Sequence, residues 1–505
     1  MKITNPRFDT TLALLIFCIG IYIALFFTLS ILRYKAFFSY EWEDLAEANI
    51  IAWNLSHGHL SHYLQFYTHE RVQIVLFMFL IVGLYFFMPH IYTFFFTTTF
   101  SLAIATIPLY FLALKLLEDK RAALLLSIAY LFYAPKNSLN FLDGDTSIYT
   151  IPLLLFAFYT ALLGRKAWFI VCSILVMLCK TETPFYITVL MTYLFMKRRV
   201  FNKIDSKVYF FLGLISILFL VSNVIASNKL GREPICESCT NISNDKSSLS
   251  SGTFFPLPSY FSQIKIEGLL KLFLPVLLFP LFTPEILLGF PSIFLILNTE
   301  NFLFQRAHYI SDLVPFIFIG TILFIKKISL TYQYEGEKES HSQAMIRKRT
   351  TLSSFVLIGC FLSNFFPNII GGPHQDDVYP IEDRRFLNVS NIYDPKFYIM
   401  DEEDRIAWRM VNMIPKDPLV SVAATGDLLV PLSSRKKIVE FLDNQYDYYD
   451  VDYILIHGES MYMGAGQYVW DEEEIDKKIE ELLHDKNWET VAIEDCFYLF
   501  KKKKL

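Results

Sequence analysis

The sequence predicts an all-α polytopic membrane domain of about eleven transmembrane helices, followed by a small α/β domain. Three observations lead there. First, 54% of the 505 residues are hydrophobic and the mean hydropathy is +0.38, more apolar than water-soluble chains. Second, the apolar residues come in blocks near the length a bilayer demands, about 20 residues for roughly 30 Å of hydrocarbon. Third, the character changes beyond residue 370 to a charged segment with short β-like runs.

Eleven blocks can span: about 11–32, 91–114, 122–138, 149–163, 167–180, 184–196, 209–226, 267–282, 285–297, 310–325 and 352–370. The first resembles a signal-peptide core, but it is too long and Arg33-Tyr34-Lys35 follows in place of a small-residue cleavage site, so it reads as a retained helix. A twelfth stretch, 72–88, decides the topology. If it re-enters or lies along the interface, the basic clusters all fall on the cytoplasmic side: Lys2/Arg7, Lys115/Lys120/Arg121, Arg165/Lys166, Lys197/Arg198/Arg199/Lys203, Lys326/Lys327 and Arg347/Lys348/Arg349. If it spans, the clusters split between sides. The first arrangement is adopted, with a cytoplasmic N-terminus and an extracytoplasmic C-terminal domain in a cell membrane. The domains are then 1–370, with an external loop at 33–90, and 371–505.

Cys18, Cys172, Cys179 and Cys360 lie in apolar blocks and read as packing residues, whereas Cys236 and Cys239 lie in a Ser/Asn/Gly-rich external loop where either a local disulfide or two free thiols fit. In the C-terminal segment, 419–424, 452–457, 488–493 and 497–501 read as strands and 472–484 as an amphipathic helix. It has neither a Gly-rich phosphate loop nor a nucleophile elbow, which favours a binding or lid domain.

Two groups of side chains can carry chemistry. Phe38-Ser-Tyr-Glu41-Trp-Glu43-Asp44-Leu-Ala-Glu47 places four carboxylates directly after the first helix. A partly desolvated carboxylate there suits a general base acting on a sugar hydroxyl; equally, these acids can cap the amphipathic segment 43–57. The second group is cationic: His69, Arg71, Lys180, Arg306 and His308 share the external face under this topology. Together they can hold a phosphate and stabilise a leaving phosphate oxygen, while singly each suits a headgroup-facing role. Lys180-Thr-Glu182 stands out, because an ionisable pair between apolar blocks is costly unless it is paired or lines a polar cavity. Asp143 and Asp145 add acidic groups at that face. No spacing requires a metal ion, and a divalent cation remains compatible with the acidic groups.

The order of several motifs resembles the uncharacterised membrane family named domain of unknown function 2079 (DUF2079). They are Glu-Asp-Leu with Trp53-Asn-Leu-Ser-His-Gly58, Pro108-Leu-Tyr-Phe-Leu-Ala-Leu-Lys, Asn140-Phe-Leu-Asp-Gly-Asp and Leu178-Cys-Lys-Thr-Glu182, then Leu281-Phe-Thr-Pro-Glu285 and His308-Tyr-Ile-Ser-Asp-Leu-Val-Pro315. The resemblance covers most of 1–325 and, more loosely, the tail. That family is similar to the GT-C glycosyltransferases, which use polyprenyl-phosphate-linked sugars at the external membrane face. The resemblance implies a GT-C-like fold and an acidic base in the first external loop: Asp44 by position, with Glu41 and Glu43 as rivals. It also implies membrane lipids, a lipid-linked sugar donor and a glycan, lipid or protein acceptor as partners, and no nucleic acid. The chain departs from the family pattern at Asp143-Gly144-Asp145, where Asp-Phe-His is common, and at Thr183, where a second acidic residue often stands. A lipid or glycan transporter, a flippase or a membrane assembly protein keeping the fold is the rival reading. A transporter favours ionisable groups in mid-span and internal repeats, and here the charges gather at one face.

The topology has a direct check. Cysteines substituted at Ser206 and Ser340 should be shielded from an impermeant thiol reagent in intact cells, and one at Ser250 should be labelled. Labelling at Ser340 but not at Ser250 inverts the assignment.

Overall fold

A computed structural model describes residues 10–37, 42–59, 76–141, 144–197, 203–229, 270–298, 308–330, 341–365, 395–441, 449–458 and 472–503. The first apolar block forms helix α1 (Thr10–Lys35), and α2 (Trp42–Ser56) follows it. Among its described residues the 72–88 stretch forms α3 (Met78–Tyr85), whose eight residues rise about 12 Å, too short to cross a bilayer. Next come α4 (Tyr92–Ile104), α5 (Thr106–Leu117), α6 (Lys120–Phe132), α7 (Thr150–Leu163), α8 (Lys166–Cys179), α9 (Thr183–Met196) and α10 (Ser206–Lys229). They follow the apolar blocks to within a few residues. Among the described residues, four stretches are long and apolar enough to cross a membrane: Thr10–Lys35, Tyr92–Leu117, Thr146–Leu163 and Ser206–Asn223.

The expected span at 267–282 takes a different form, while 285–297 is helical. Three short 3-10 turns, Leu274–Val276, Phe279–Phe282 and Pro284–Gly289, precede the nine-residue helix α11 (Phe290–Asn298). Pro275, Pro280 and Pro284 each open a turn, and Leu277 and Leu278 adopt positive φ. A proline cannot donate the helical hydrogen bond, so 274–283 packs as irregular chain, whereas 284–298 winds without a break from a 3-10 turn into α11. Neighbouring backbone comes close enough to need glycine: a Cβ on Gly359 would lie 2.5 Å from the Pro275 carbonyl oxygen. Gly359 belongs to α13 (His341–Leu362), which follows α12 (Val314–Leu330).

The bundle has two chemically distinct ends. At one, Arg349 donates to the Leu117 carbonyl and to Ser329 Oγ, and Thr350 donates to Asp119, so residues 117–121, 326–330 and 347–350 meet there. At the other, Arg33 donates to the Phe141 carbonyl (2.8 Å), Thr146 to the Cys179 carbonyl (2.5 Å), and Phe77 N to the Leu178 carbonyl (2.9 Å). Several of the basic clusters therefore share one end, and the Lys180 region occupies the opposite one.

Beyond the bundle, α14 (Glu402–Met413) begins with a capping box between Asp401 and Asp404. A five-stranded sheet follows, made of β1 (Val422–Ala424), β2 (Ile438–Glu440), β3 (Tyr453–His457), β4 (Trp488–Glu494) and β5 (Phe497–Lys502), with α15 (Glu472–His484) before β4. The strand order is β2-β1-β3-β5-β4; the first three are parallel and the β4-β5 hairpin pairs antiparallel. Strand alternation sorts the core. Ile454 and Ile456 face Ile475, Ile479 and Leu482 of α15, whereas Leu455 joins a cluster with Leu45, Ile50 and Trp53 of α2. One hydrophobic core therefore joins the sheet to the loop that follows α1.

Candidate functional site

The loop between α8 and α9 creates the site. Lys180 is extended, which ends α8, and Pro184 stands in the first turn of α9, where its missing N–H is not needed. Thr183 Oγ1 donates to the Lys180 carbonyl (2.8 Å) or the Val176 carbonyl (2.6 Å), closing the turn. Lys180 Nζ then sits 3.5 Å from Asp145 Oδ2 and 3.5 Å from Glu182 Oε1; Lys180 and Glu182 are buried, and the Asp145 side chain is 7% exposed. Asp145 is fixed from its own side as the cap of the 146–149 turn, accepting from Ser147 N (2.7 Å). Thr181 Oγ1 donates to Glu182 Oε2 (3.1 Å).

A third carboxylate closes in from the α12 side. Asp312 is 2% exposed and meets Thr150 Oγ1, and it lies close enough to Asp145, Lys180 and Glu182 to feel their charges. The aromatic wall is Phe77 on Tyr149 (ring centroids 4.9 Å), whose hydroxyl donates to Thr97 Oγ1 (2.8 Å). Among the described residues, no group of three or more His, Cys, Asp or Glu side chains has the geometry to hold a metal ion.

A second buried network is built on Tyr22, near the middle of α1. Lys136 is 0% exposed; its ammonium lies 3.9 Å from the Tyr22 ring centroid and 4.9 Å from that of Tyr130. It donates to Tyr22 Oη (2.8 Å), which also accepts from Asn140 Nδ2 (2.6 Å) and donates to Asn137 Oδ1 (3.1 Å). Tyrosine faces offer a buried ammonium the attraction that a carboxylate otherwise supplies.

Helix α2 is held by the sheet domain. Asn49 Nδ2 of α2 reaches Ser433 Oγ (2.7 Å) and Ser434 Oγ (3.1 Å). Trp408 of α14 donates to the Lys35 carbonyl (2.9 Å) and packs edge-on against Tyr34 and Phe37. Glu43 and Asp44 belong to the first turn of α2, and their side chains lie outside the described residues. Glu41, His69, Arg71, Asp143, Arg306, Cys236 and Cys239 lie outside them entirely, and of His308 only the backbone, in a one-turn helix, is described. Of the residues singled out from sequence, the structure thus brings together Asp145, Lys180 and Glu182. Asp312, Thr150 and Lys136 were not singled out. Lys136 carried a signal nonetheless, as a charge inside an apolar block; Asp312 sits within the motif His308 to Pro315.

The profile described as "Predicted membrane protein (DUF2079)" matches residues 51–499. The chain belongs to the DUF2079 family. No curated protein matches it. Among solved structures, the DUF2079 chain is similar to ArnT from Cupriavidus metallidurans in the apo state, with a TM-score of 0.51 and 9% identity over 97% of this chain and 98% of that one. At that identity the likeness concerns the fold: this DUF2079 member shares the overall architecture of that protein over nearly its whole length.

The Lys180 cluster has a stability consequence. Lys180→Met leaves buried carboxylates without their cation, which costs about 3–5 kcal/mol when a buried ion pair is broken. Thermal unfolding in detergent should show a clearly lowered midpoint, and adding Asp145→Asn and Glu182→Gln should restore most of it. A wild-type midpoint in Lys180→Met contradicts the burial of these charges.

Proposed function

We propose that the protein is a membrane glycosyltransferase of GT-C type, which moves a sugar from a polyprenyl-phosphate donor to an acceptor at the extracytoplasmic face. The observation that carries this reading is the full-length likeness to ArnT, supported by a charged site at the bundle end where α2 and the sheet domain meet. The N-terminus then lies in the cytoplasm and the sheet domain outside, in keeping with the basic clusters at the opposite end.

In this mechanism the acceptor hydroxyl attacks the anomeric carbon, Asp44 takes its proton, and the sugar's bond to the donor phosphate breaks. The departing phosphate keeps the bonding electrons and is already anionic, so cations stabilise it without a general acid. Lys180 is partly neutralised by Asp145 and Glu182. The phosphate charge therefore also calls for the other candidate cations, Arg71 and Arg306 with His69 and His308. A carrier that moves lipid or glycan without chemistry is the rival, since buried ionisable groups also serve transport.

A general base contributes a factor of about 100 to 10,000 in rate. Asp44→Asn should fold, insert and bind donor, yet lose transfer of a labelled lipid-linked sugar by a factor in that range. Glu41→Gln and Glu43→Gln should lose less. Full transfer in Asp44→Asn removes it as the base, and a wild-type protein that moves lipid between leaflets but transfers no sugar replaces the enzyme with the carrier.

A further inference from the structure

We propose that Asp312 is held as a neutral carboxylic acid that donates to Thr150 Oγ1, so that the Lys180 site stores one exchangeable proton. The inference stands apart from the choice between enzyme and carrier.

It begins with a count of hydrogens at one oxygen. A threonine hydroxyl carries a single proton. Thr150 Oγ1 lies 2.6 Å from the Ser147 carbonyl oxygen, which can only accept, and it also meets Asp312 Oδ1. One hydroxyl proton cannot make two full hydrogen bonds, and a carbonyl supplies no second proton. The contact with Asp312 then needs a proton on the carboxyl group.

Charge balance points the same way. The groups around Asp312 are Thr150 from α7, Asp145 ahead of the 146–149 turn, and Cys179, Lys180 and Glu182 from the α8–α9 loop. Among these described groups Lys180 is the one cation, and it lies at 3.5 Å from both Asp145 and Glu182. A third carboxylate, 2% exposed, would add a buried like charge beside Asp145 and Glu182. Protonating Asp312 removes that charge and supplies the missing hydrogen together. The stored proton also bears on ligand choice, because an anionic ligand meets less repulsion while Asp312 keeps it.

Infrared spectroscopy of the full-length protein, with and without carbon-13 aspartate, reads the proton directly. At neutral pH the wild type should show a carboxylic-acid C=O band that shifts on labelling and is lost in Asp312→Asn, whose amide can donate to Thr150 in place of the acid. In Thr150→Val the band should move to higher frequency as its hydrogen bond is lost; should Asp312→Asn fail to fold, this shift carries the test. An ionised Asp312 sharing the single threonine proton gives no such band. Absence of a labelled acid band in the wild type, or a band unchanged in Thr150→Val, overturns the proposal.

Discussion

Everything at the functional end of this molecule answers to one constraint: Lys180 places an ammonium where almost no water reaches it. Taking an ion out of water costs several kcal/mol even after relaxation, and a membrane protein has little solvent to offer in return. The surrounding chain supplies the compensation from several directions. Asp145 comes from the α6–α7 connection and Glu182 from the start of α9. The short turn Thr146–Tyr149 and the Thr183 side chain hold the loops that carry these groups. Lys136 solves the same problem differently, with the faces of Tyr22 and Tyr130 in place of carboxylates.

The second constraint is hydrophobic. The loop after α1 does not stand free in solvent, because Leu45, Ile50 and Trp53 of α2 share a core with Leu428, Leu432 and Leu455 of the sheet domain. Asn49 and Trp408 add directed contacts to that burial. The C-terminal domain is therefore part of the scaffold that fixes α2, the helix carrying the proposed base. Alternation along β3 makes this geometry possible, since Leu455 looks toward α2 while Ile454 and Ile456 look toward α15.

Sequence patterning made much of this legible, for physical reasons that differ by region. Long apolar blocks such as 11–32 and 209–226 can satisfy their backbone only as helices, and they do so as α1 and α10. The 267–282 block had the same apolar composition, but prolines at 275 and 280 remove helical donors, so hydropathy alone misjudged its form. Strand β2 is three residues long, too short for a period to show, and α14 went unread despite its Asp401–Asp404 capping box. At the site, Lys180 and Glu182 could be found because charges between apolar blocks are conspicuous. Asp312 could not be ranked from sequence, since its importance comes from tertiary proximity to Thr150, 162 positions away.

The central claim is that the Lys180 end of the bundle, with α2 and the sheet domain around it, is where a polyprenyl-phosphate ligand is bound. A photoactivatable polyprenyl-phosphate analogue, crosslinked to the protein in nanodiscs and mapped by mass spectrometry, tests it most directly. Crosslinks concentrated in 42–59 and in 145–183, and competed by unlabelled polyprenyl phosphate, are the predicted result. Crosslinks gathered at 117–121 and 326–350, or scattered over the outer faces of α1 and α10 without competition, contradict it.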